Sequence, residues 1–332
     1  MSNYEQEMQI IREAAHLAAE LCLAVRREML GDDSTRIEKA GKEPVTVADY
    51  GAQAVVLQQV SQHFPDDASI AEERTSDFDT LATETQHQQV VDFVSQTLDK
   101  AVSLEDIRTW LDFGRDKTGS RIWTVDPIDG TKGFLRGEQF AVAVALLIDG
   151  IPMVGALACP LLPVDPSQPE GEKGVIALAV RGGGATIEPL SGGEPRSLAV
   201  SSRSEMAEIR TVESVESGHT DHSFSGQVLK RIGAMGGAVR MDSQAKYVAV
   251  ADGRGEVYLR NSRGVDYREK IWDHAAGVLI VEEAGGRITD LNGESLDFTF
   301  GEKLANNRGI LATNIHPHNA LLESIKVQDA QS

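Results

Sequence analysis

The chain has 332 residues, 41% hydrophobic and 25% charged, the balance of a soluble globular protein long enough for two domains. Its formal net charge of −19 leaves no basic patch to neutralise phosphates, which argues against nucleic acid or an anionic membrane as partner. No apolar run approaches a membrane span and the N-terminus has no signal or presequence layout, so the cytoplasm is the expected compartment, an organelle staying open if a presequence was removed.

Ile10, Ala14, Leu17, Leu21 and Val25 recur at helical spacing and predict an amphipathic helix near the N-terminus. Cys22 on that helix and Cys159 in an apolar run have neither metal-ligand spacing nor a disulfide framework, so both read as reduced residues. Residues 44–49 form a short extended piece, and Ala52, Val55, Val56 and Val60 predict a second helix that begins around Asp49. Residues 68–71 are an apolar segment ending in the paired acids Glu72 and Glu73. Residues 74–116 are polar and read as loops around one helix of uncertain limits.

Strand-like runs follow at 121–125, 140–148, 153–158 and 175–180, separated by Gly and Pro signals, with a loop at 163–174. From about residue 196 the pattern changes. Strand-like runs at 198–201, 210–215, 256–260 and 287–291 alternate with helical ones at 224–232 and 274–283, which points to an α/β layer. Asp273 is expected in the first turn of the last of these helices, which Gly285 and Gly286 stop.

The chemistry concentrates in Asp126-Pro127-Ile128-Asp129-Gly130-Thr131, which sets two carboxylates three residues apart where a strand turns into a helix. Oxygen ligands there suit a hard cation such as Mg²⁺, and the backbone N–H groups of Gly130 and Thr131 suit an anion. The six residues by themselves also fit an ordinary Asp-capped helix start. Three acids at helix starts, Asp49, Asp129 and Asp273, together with the Glu72–Glu73 pair at a strand end, predict a convergent site. Carboxylates alone would repel a phosphate ester, whereas two or three Mg²⁺ ions make them ligands, so metal dependence follows from the acidic inventory.

With Ala71-Glu72-Glu73 upstream and Ile271-Trp272-Asp273-His274-Ala275-Ala276-Gly277 downstream, the central motif resembles the Mg²⁺-dependent, lithium-sensitive phosphomonoesterases of the inositol monophosphatase and fructose bisphosphatase superfamily, over residues 4–315. Pro44 to Tyr50, Gly130 to Gly137, Asp242-Ser243-Gln244-Ala245-Lys246-Tyr247 and Tyr267 to Asp273 make it most similar to the 3'(2'),5'-bisphosphate nucleotidase branch of plant and fungal type. The resemblance implies a layered αβαβα sugar-phosphatase fold: an N-terminal α+β unit with a largely antiparallel sheet, residues 1–195, and a C-terminal α/β unit, residues 196–332, that contributes Asp273.

It also implies roles. Glu72, Asp126 and the Ile128 carbonyl would hold one Mg²⁺, Asp126, Asp129 and Asp273 a second, and a third, weaker ion would sit near Glu72. Thr131 with Asp49 would orient and deprotonate water, and Gly130 and Thr131 would hold the scissile 3'-phosphate. Glu73 is implied as a supporting acid, with an exposed surface acid as the other reading. Ser243, Lys246 and Arg260 match the residues that recognise a 5'-phosphate, and His219, with His222 near it, matches one that contacts adenine. The implied activity is removal of the 3'-phosphate from 3'-phosphoadenosine 5'-phosphate and its phosphosulfate, inhibited by Li⁺ and by Na⁺, by a monomer acting on small molecules. The rival readings are an inositol polyphosphate 1-phosphatase and a catalytically silent nucleotide-binding regulator.

Overall fold

In the computed structural model, which describes residues 4–29, 36–38, 44–215, 222–261 and 267–331, helix α1 (Glu5–Met29) opens the chain with the apolar stripe its spacing predicts. Ile11, Ala14, Ala18, Leu21 and Val25 are buried on it. An antiparallel ribbon of β1 (Arg36–Glu38) and β2 (Pro44–Thr46) leads into α2 (Val47–His63), which is buried along most of its length. Thr46 and Asp49 form a capping box at its start. Strand β3 (Ala68–Ala71) follows.

Residues 74–116 hold three helices, α3 (Thr75–Leu81), α4 (Glu84–Thr97) and α5 (Leu104–Leu111), where the sequence predicts one. The apolar period is weak because each is short and half-exposed: α3 buries only Phe78, and α5 only Ile107 and Leu111. Local capping carries the signal instead, with boxes at Thr83–Gln86 and Ser103–Asp106.

Strand β4 (Arg121–Asp129) then leads into the short α6 (Thr131–Arg136), followed by β5 (Ala141–Ile148), β6 (Ile151–Pro163), β7 (Lys173–Val180), β8 (Gly184–Pro189) and β9 (Arg196–Ser197). Strands β3 to β9 form one sheet in sequence order, antiparallel except for the parallel β3–β4 pair. Alternation along β5 shows why it is central. Val142, Val144 and Leu146 pack toward α1 and α2, while Ala141, Ala143, Ala145 and Leu147 face the other way into a second core.

The second sheet has the order β11 (Ala238–Arg240), β10 (Thr211–Glu213), β12 (Val257–Arg260), β14 (Ile310–Thr313), β13 (Arg287–Thr289), parallel across the first three and antiparallel beyond. Helices α8 (Ala245–Ala251) and α9 (Ala275–Glu283) fill the space between the two sheets, and α7 (His222–Arg231) and α10 (His318–Asp329) cover the outer face. The layers therefore run αβαβα, as the resemblance implies. Small residues set the close approach in the middle layer: a Cβ on Gly277 would lie 2.2 Å from the Tyr247 ring.

Residues 198–201 are not a strand. Leu198 bonds to Ala185 of β8 and Val200 to Ala284 after α9, so the segment is apolar because it crosses a buried gap, with backbone partners on two different elements. Asp273 closes a 3₁₀ turn, Ile271–Asp273, one residue before the His274 cap of α9, rather than lying in the helix's first turn. Among the described residues no helix is long and apolar enough to cross a membrane.

Candidate active site

A bulge in β4 makes the site possible. Asp126 pairs with Ala143 but Asp129 with Ala141, so one residue too many lies on the β4 side. In an unbroken strand two residues three apart would point to opposite faces, whereas here Ile128 turns into the same core as Trp123 and Val125, and Asp126 and Asp129 both line the cleft. Pro127, having no N–H to lose, sits at the break. Beside it the Glu72 N–H bonds to the Val125 carbonyl, continuing the β3–β4 ladder and bringing Glu72 next to Asp126.

The cleft these residues open has a volume of about 230 Å³. Asp49, Glu72, Glu73, Asp126, Asp129 and Thr131 line it from the first part of the chain. Ser243, Lys246, Arg260 and Asp273 line it from the second. Ile128 and Gly130 complete the wall. Every site residue expected from the sequence is thus in one cavity except His219, which lies outside the described residues, as does the side chain of His222.

The acids crowd one another. Burial pushes the Asp126 carboxyl well up, and the charges of Glu72, Asp129 and Asp273 push it further. Asp273 is raised to about 8, by burial first and Asp129 second, with Arg260 pulling the other way. Asp126 Oδ2 lies 3.5 Å from the Gln244 amide, while no donor among the described residues reaches the buried Oδ1. A buried carboxylate oxygen without a donor, among acids that raise each other's proton affinity, is what an all-oxygen site for a hard divalent cation requires. The donor set fits Mg²⁺.

Glu269, Asp273 and His274 also bring ligand atoms within 4.8 Å of one another. A cation there would meet the Arg260 guanidinium, which already forks onto Glu269 at 3.0 and 2.8 Å, so this group reads as an ion-pair network.

Asp49 Oδ2 accepts from the Thr46 backbone N–H at 2.7 Å and hydroxyl at 2.8 Å, which fixes its carboxylate at the first turn of α2. The Thr131 hydroxyl donates to the Ile128 carbonyl at 3.2 Å. Glu73 is 1% exposed, which removes the surface-acid reading; its backbone is tied to the Gln53 amide in both directions at 2.8 Å, and its charge acts on the Tyr50 hydroxyl. Gly130 has φ +89, and a Cβ there would meet that of Ser243 at 3.0 Å, so the two halves of the cleft touch at this glycine.

Lys246 is 4% exposed, not the solvated helix residue its position on α8 could have made it. Its ammonium lies 5.4 Å from the Tyr258 ring centroid. Burial lowers its pKa to about 8, with Asp129 and Asp242 opposing the shift. Ser243 is held at φ +70, a conformation rare outside glycine, which places it against Gly130.

The Inositol monophosphatase family model matches residues 5–329. The chain belongs to the inositol monophosphatase family. Its members are metal-dependent, generally on Mg²⁺. The 3'(2'),5'-bisphosphate nucleotidase of Oryza sativa is 39% identical, covering 98% of this chain and 95% of that one. That of Emericella nidulans is 37% identical, with 98% of both chains covered. Among solved structures, the inositol monophosphatase from Anabaena superposes with a TM-score of 0.62 at 23% identity, covering 98% of this chain and 97% of that one. The extragenic suppressor protein SuhB from Bartonella henselae gives 0.66 at 22% identity, covering 97% and 99%. These structures establish the shared fold.

Among the lining or supporting residues with no role in the sequence reading, four belong to the quoted motifs of the second half of the chain: Asp242, Gln244, Tyr267 and Glu269. Gln244 joins Asp126 to the Trp272 carbonyl at 3.1 Å, so it spans the cleft between two acid-bearing segments. Asp242 takes Arg136 of α6 at 2.8 Å and the Val215 N–H at 3.1 Å. All four sit inside stretches that carry the resemblance; the partners of Asp242 and Gln244 are far away in sequence and those of Glu269 follow no periodicity, so only position within the motifs could have marked them.

Proposed function

We propose that the chain is a Mg²⁺-dependent 3'(2'),5'-bisphosphate nucleotidase that hydrolyses 3'-phosphoadenosine 5'-phosphate to AMP and phosphate and also accepts the 5'-phosphosulfate. The observation that carries this reading is a single cleft lined by clustered carboxylates and also by two cations, the buried Lys246 and the half-buried Arg260. A substrate with one phosphate to cleave and a second to be gripped matches both sets. The 3'(2'),5'-bisphosphate nucleotidases that are 34–39% identical over nearly the whole chain point the same way.

Glu72, Asp126 and the Ile128 carbonyl would hold one ion, Asp126, Asp129 and Asp273 a second, and Glu72 would adjoin a weaker third. Bound there, Mg²⁺ supplies charge neutralisation on the phosphate and acidifies a bound water. The residues of the chain do the rest. Thr131 orients the attacking water and Asp49, its carboxylate fixed by Thr46, accepts the proton, with Glu73 supporting from below. Backbone N–H groups of Gly130 and Thr131 hold the scissile phosphate; α6 is only 6 residues long, so its dipole adds little beyond them. Ser243, Lys246 and Arg260 bind the distal 5'-phosphate, and His219 contacts the base.

The boundary near residue 196 separates a unit that supplies most of the acids from one that supplies the distal subsite. The reading has the protein acting as a monomer in the cytoplasm, sensitive to Li⁺ and Na⁺ because a monovalent ion takes a Mg²⁺ position without its charge. A silent regulator would not need Asp49, Glu72, Asp126, Asp129 and Asp273 gathered in one cavity. The test is phosphate release from a panel of 3'-phosphoadenosine 5'-phosphate, 3'-AMP and inositol 1,4-bisphosphate, with Mg²⁺ and with or without Li⁺. Highest kcat/KM on the nucleotide bisphosphate, abolished by EDTA and reduced by Li⁺, is the expected result. No release from it, or a preference for inositol 1,4-bisphosphate, would overturn the assignment in favour of the polyphosphate 1-phosphatase.

A further inference from the structure

Glu269 lies between β12 and the turn that carries Asp273, and it is 2% exposed. Its two oxygens receive Arg260 Nε at 3.0 Å and a terminal guanidinium nitrogen at 2.8 Å, so they take one edge of the fork. An arginine has five N–H groups, and this edge uses two of them. Tyr258 and Tyr267 lie against the guanidinium as well, and all three residues line the cleft.

The carboxylate is itself held from behind. Glu269 Oε2 lies 3.3 Å from His274 Nε2, and His274 Nδ1 lies 2.7 Å from the Tyr247 hydroxyl. A ring with its proton on Nε2 donates to Glu269 and accepts from the Tyr247 hydroxyl, which satisfies all three groups at once. Tyr247 in turn is locked against Gly277, where a Cβ would collide with its ring. The packing of α8 on α9 is thereby transmitted through three polar contacts to the guanidinium.

Arg260 also has a second attraction. Asp273 lies close enough for its charge to act on the guanidinium. An arginine freed from Glu269 would be drawn toward the carboxylates expected to hold metal and away from a distal phosphate.

We propose that Glu269 is a positioning residue for the distal-phosphate subsite: by clamping one edge of Arg260 it aims the remaining N–H groups at the substrate's second phosphate and keeps the guanidinium off Asp273. The proposal rests on the bisphosphate reading. It makes Glu269 a determinant of specificity rather than of the chemical step, since ordering a long side chain in advance removes that cost from binding.

The experiment compares the wild type with Glu269→Gln and Glu269→Asp. Calorimetry measures binding of AMP, which keeps the distal phosphate, and of adenosine, which lacks it; steady-state kinetics use the bisphosphate and 3'-AMP. Glu269→Gln should weaken AMP about tenfold, or about 1.4 kcal/mol, and raise KM for the bisphosphate similarly. Adenosine binding and kcat on 3'-AMP should stay within about twofold of wild type. Glu269→Asp, which keeps the charge at shorter reach, should recover part of the loss and gives a second reading if the Gln variant folds poorly. Unchanged or tighter AMP binding overturns the proposal, as does an equal loss for AMP and adenosine, the mark of general damage. Wild type binding AMP no better than adenosine would remove the bisphosphate reading and this proposal together; a variant that still discriminates where the wild type does removes only the role of Glu269.

Discussion

At the carboxylate end of the cleft, Glu72, Asp126 and Asp129 come from adjacent strands of one sheet, and a single bulge turns them inward. At the cationic end, Ser243, Lys246 and Arg260 come from a strained turn, a helix and a strand end of the second unit, and Arg260 is steadied by a buried ion pair. The first end is prepared by backbone geometry and left with like charges facing one another. The second is prepared by side chains, with Glu269 neutralising Arg260 beside Lys246. A cation is needed to complete the first, and an anion has to compete for the second.

Breaking the first end should therefore cost chemistry on every substrate, and breaking the second should cost affinity for bisphosphates alone. The largest effect is expected from Asp126→Asn, which keeps volume but removes a charge shared by the expected metal positions. Here kcat/KM should fall about 10³-fold or more on bisphosphate and 3'-AMP alike, measured by phosphate release. Lys246→Met comes next. It should raise KM for the bisphosphate roughly 10- to 100-fold, as expected for losing a charged phosphate contact, and leave 3'-AMP nearly untouched. Equal losses on both substrates would erase the distinction between the ends.

A pH series sharpens the same contrast. With its pKa lowered to about 8, Lys246 loses its proton as pH rises through that value, so KM for the bisphosphate should climb several-fold above pH 8. Phosphate at the site favours the charged amine and moves the break upward in the complex. The slope should vanish in Lys246→Met. In the free protein the unfolded chain holds more protons on this residue between about 8 and 10.4, so its burden on stability eases across that window as pH rises.

The smallest effect is thermal. Asp273 is raised to about 8, so the folded, metal-free protein binds more protons than the unfolded chain between the ordinary carboxylate range and that value. Stability from this group is then fully present at low pH and is lost as pH rises toward 8. Melting of EDTA-treated protein should fall over that interval, and Mg²⁺ at about 100 times its Kd should add about 2.7 kcal/mol, most clearly near pH 8. A Mg²⁺ effect identical at pH 5 and pH 8 would show that the carboxylates do not share the ion.

The two ends also differ in how readable they are. Asp126 to Thr131 announces itself because the two carboxylates, the bulge-forming proline and the glycine expected to face phosphate are contiguous. Lys246 and Arg260 could be singled out only through family wording, since a lysine on a helix is ordinarily solvated. Glu269 passed without a role, because what matters about it is two contacts, to Arg260 9 residues back and His274 5 residues on, neither of which follows from any periodicity. The helices α3 to α5 were merged into one for a related reason: α4 and α5 are fixed by capping boxes and α3 by the packing of Phe78, signals that are local rather than a continuous apolar repeat.

Pattern and composition alone determined the central strands β4 to β7 of the first sheet, the helices α1, α2 and α9, and the acidic residue types that call for a divalent cation, because those follow from spacing and charge within short stretches; β8 and β9 went unread. Tertiary structure decided that Asp126 and Asp129 share a face, that Glu73 and Lys246 are buried, and that Glu269 grips Arg260. Each of these depends on a register shift or on groups brought together by the two sheets closing on α8 and α9, and burial and pairing at such distances are properties of the packed chain rather than of any segment.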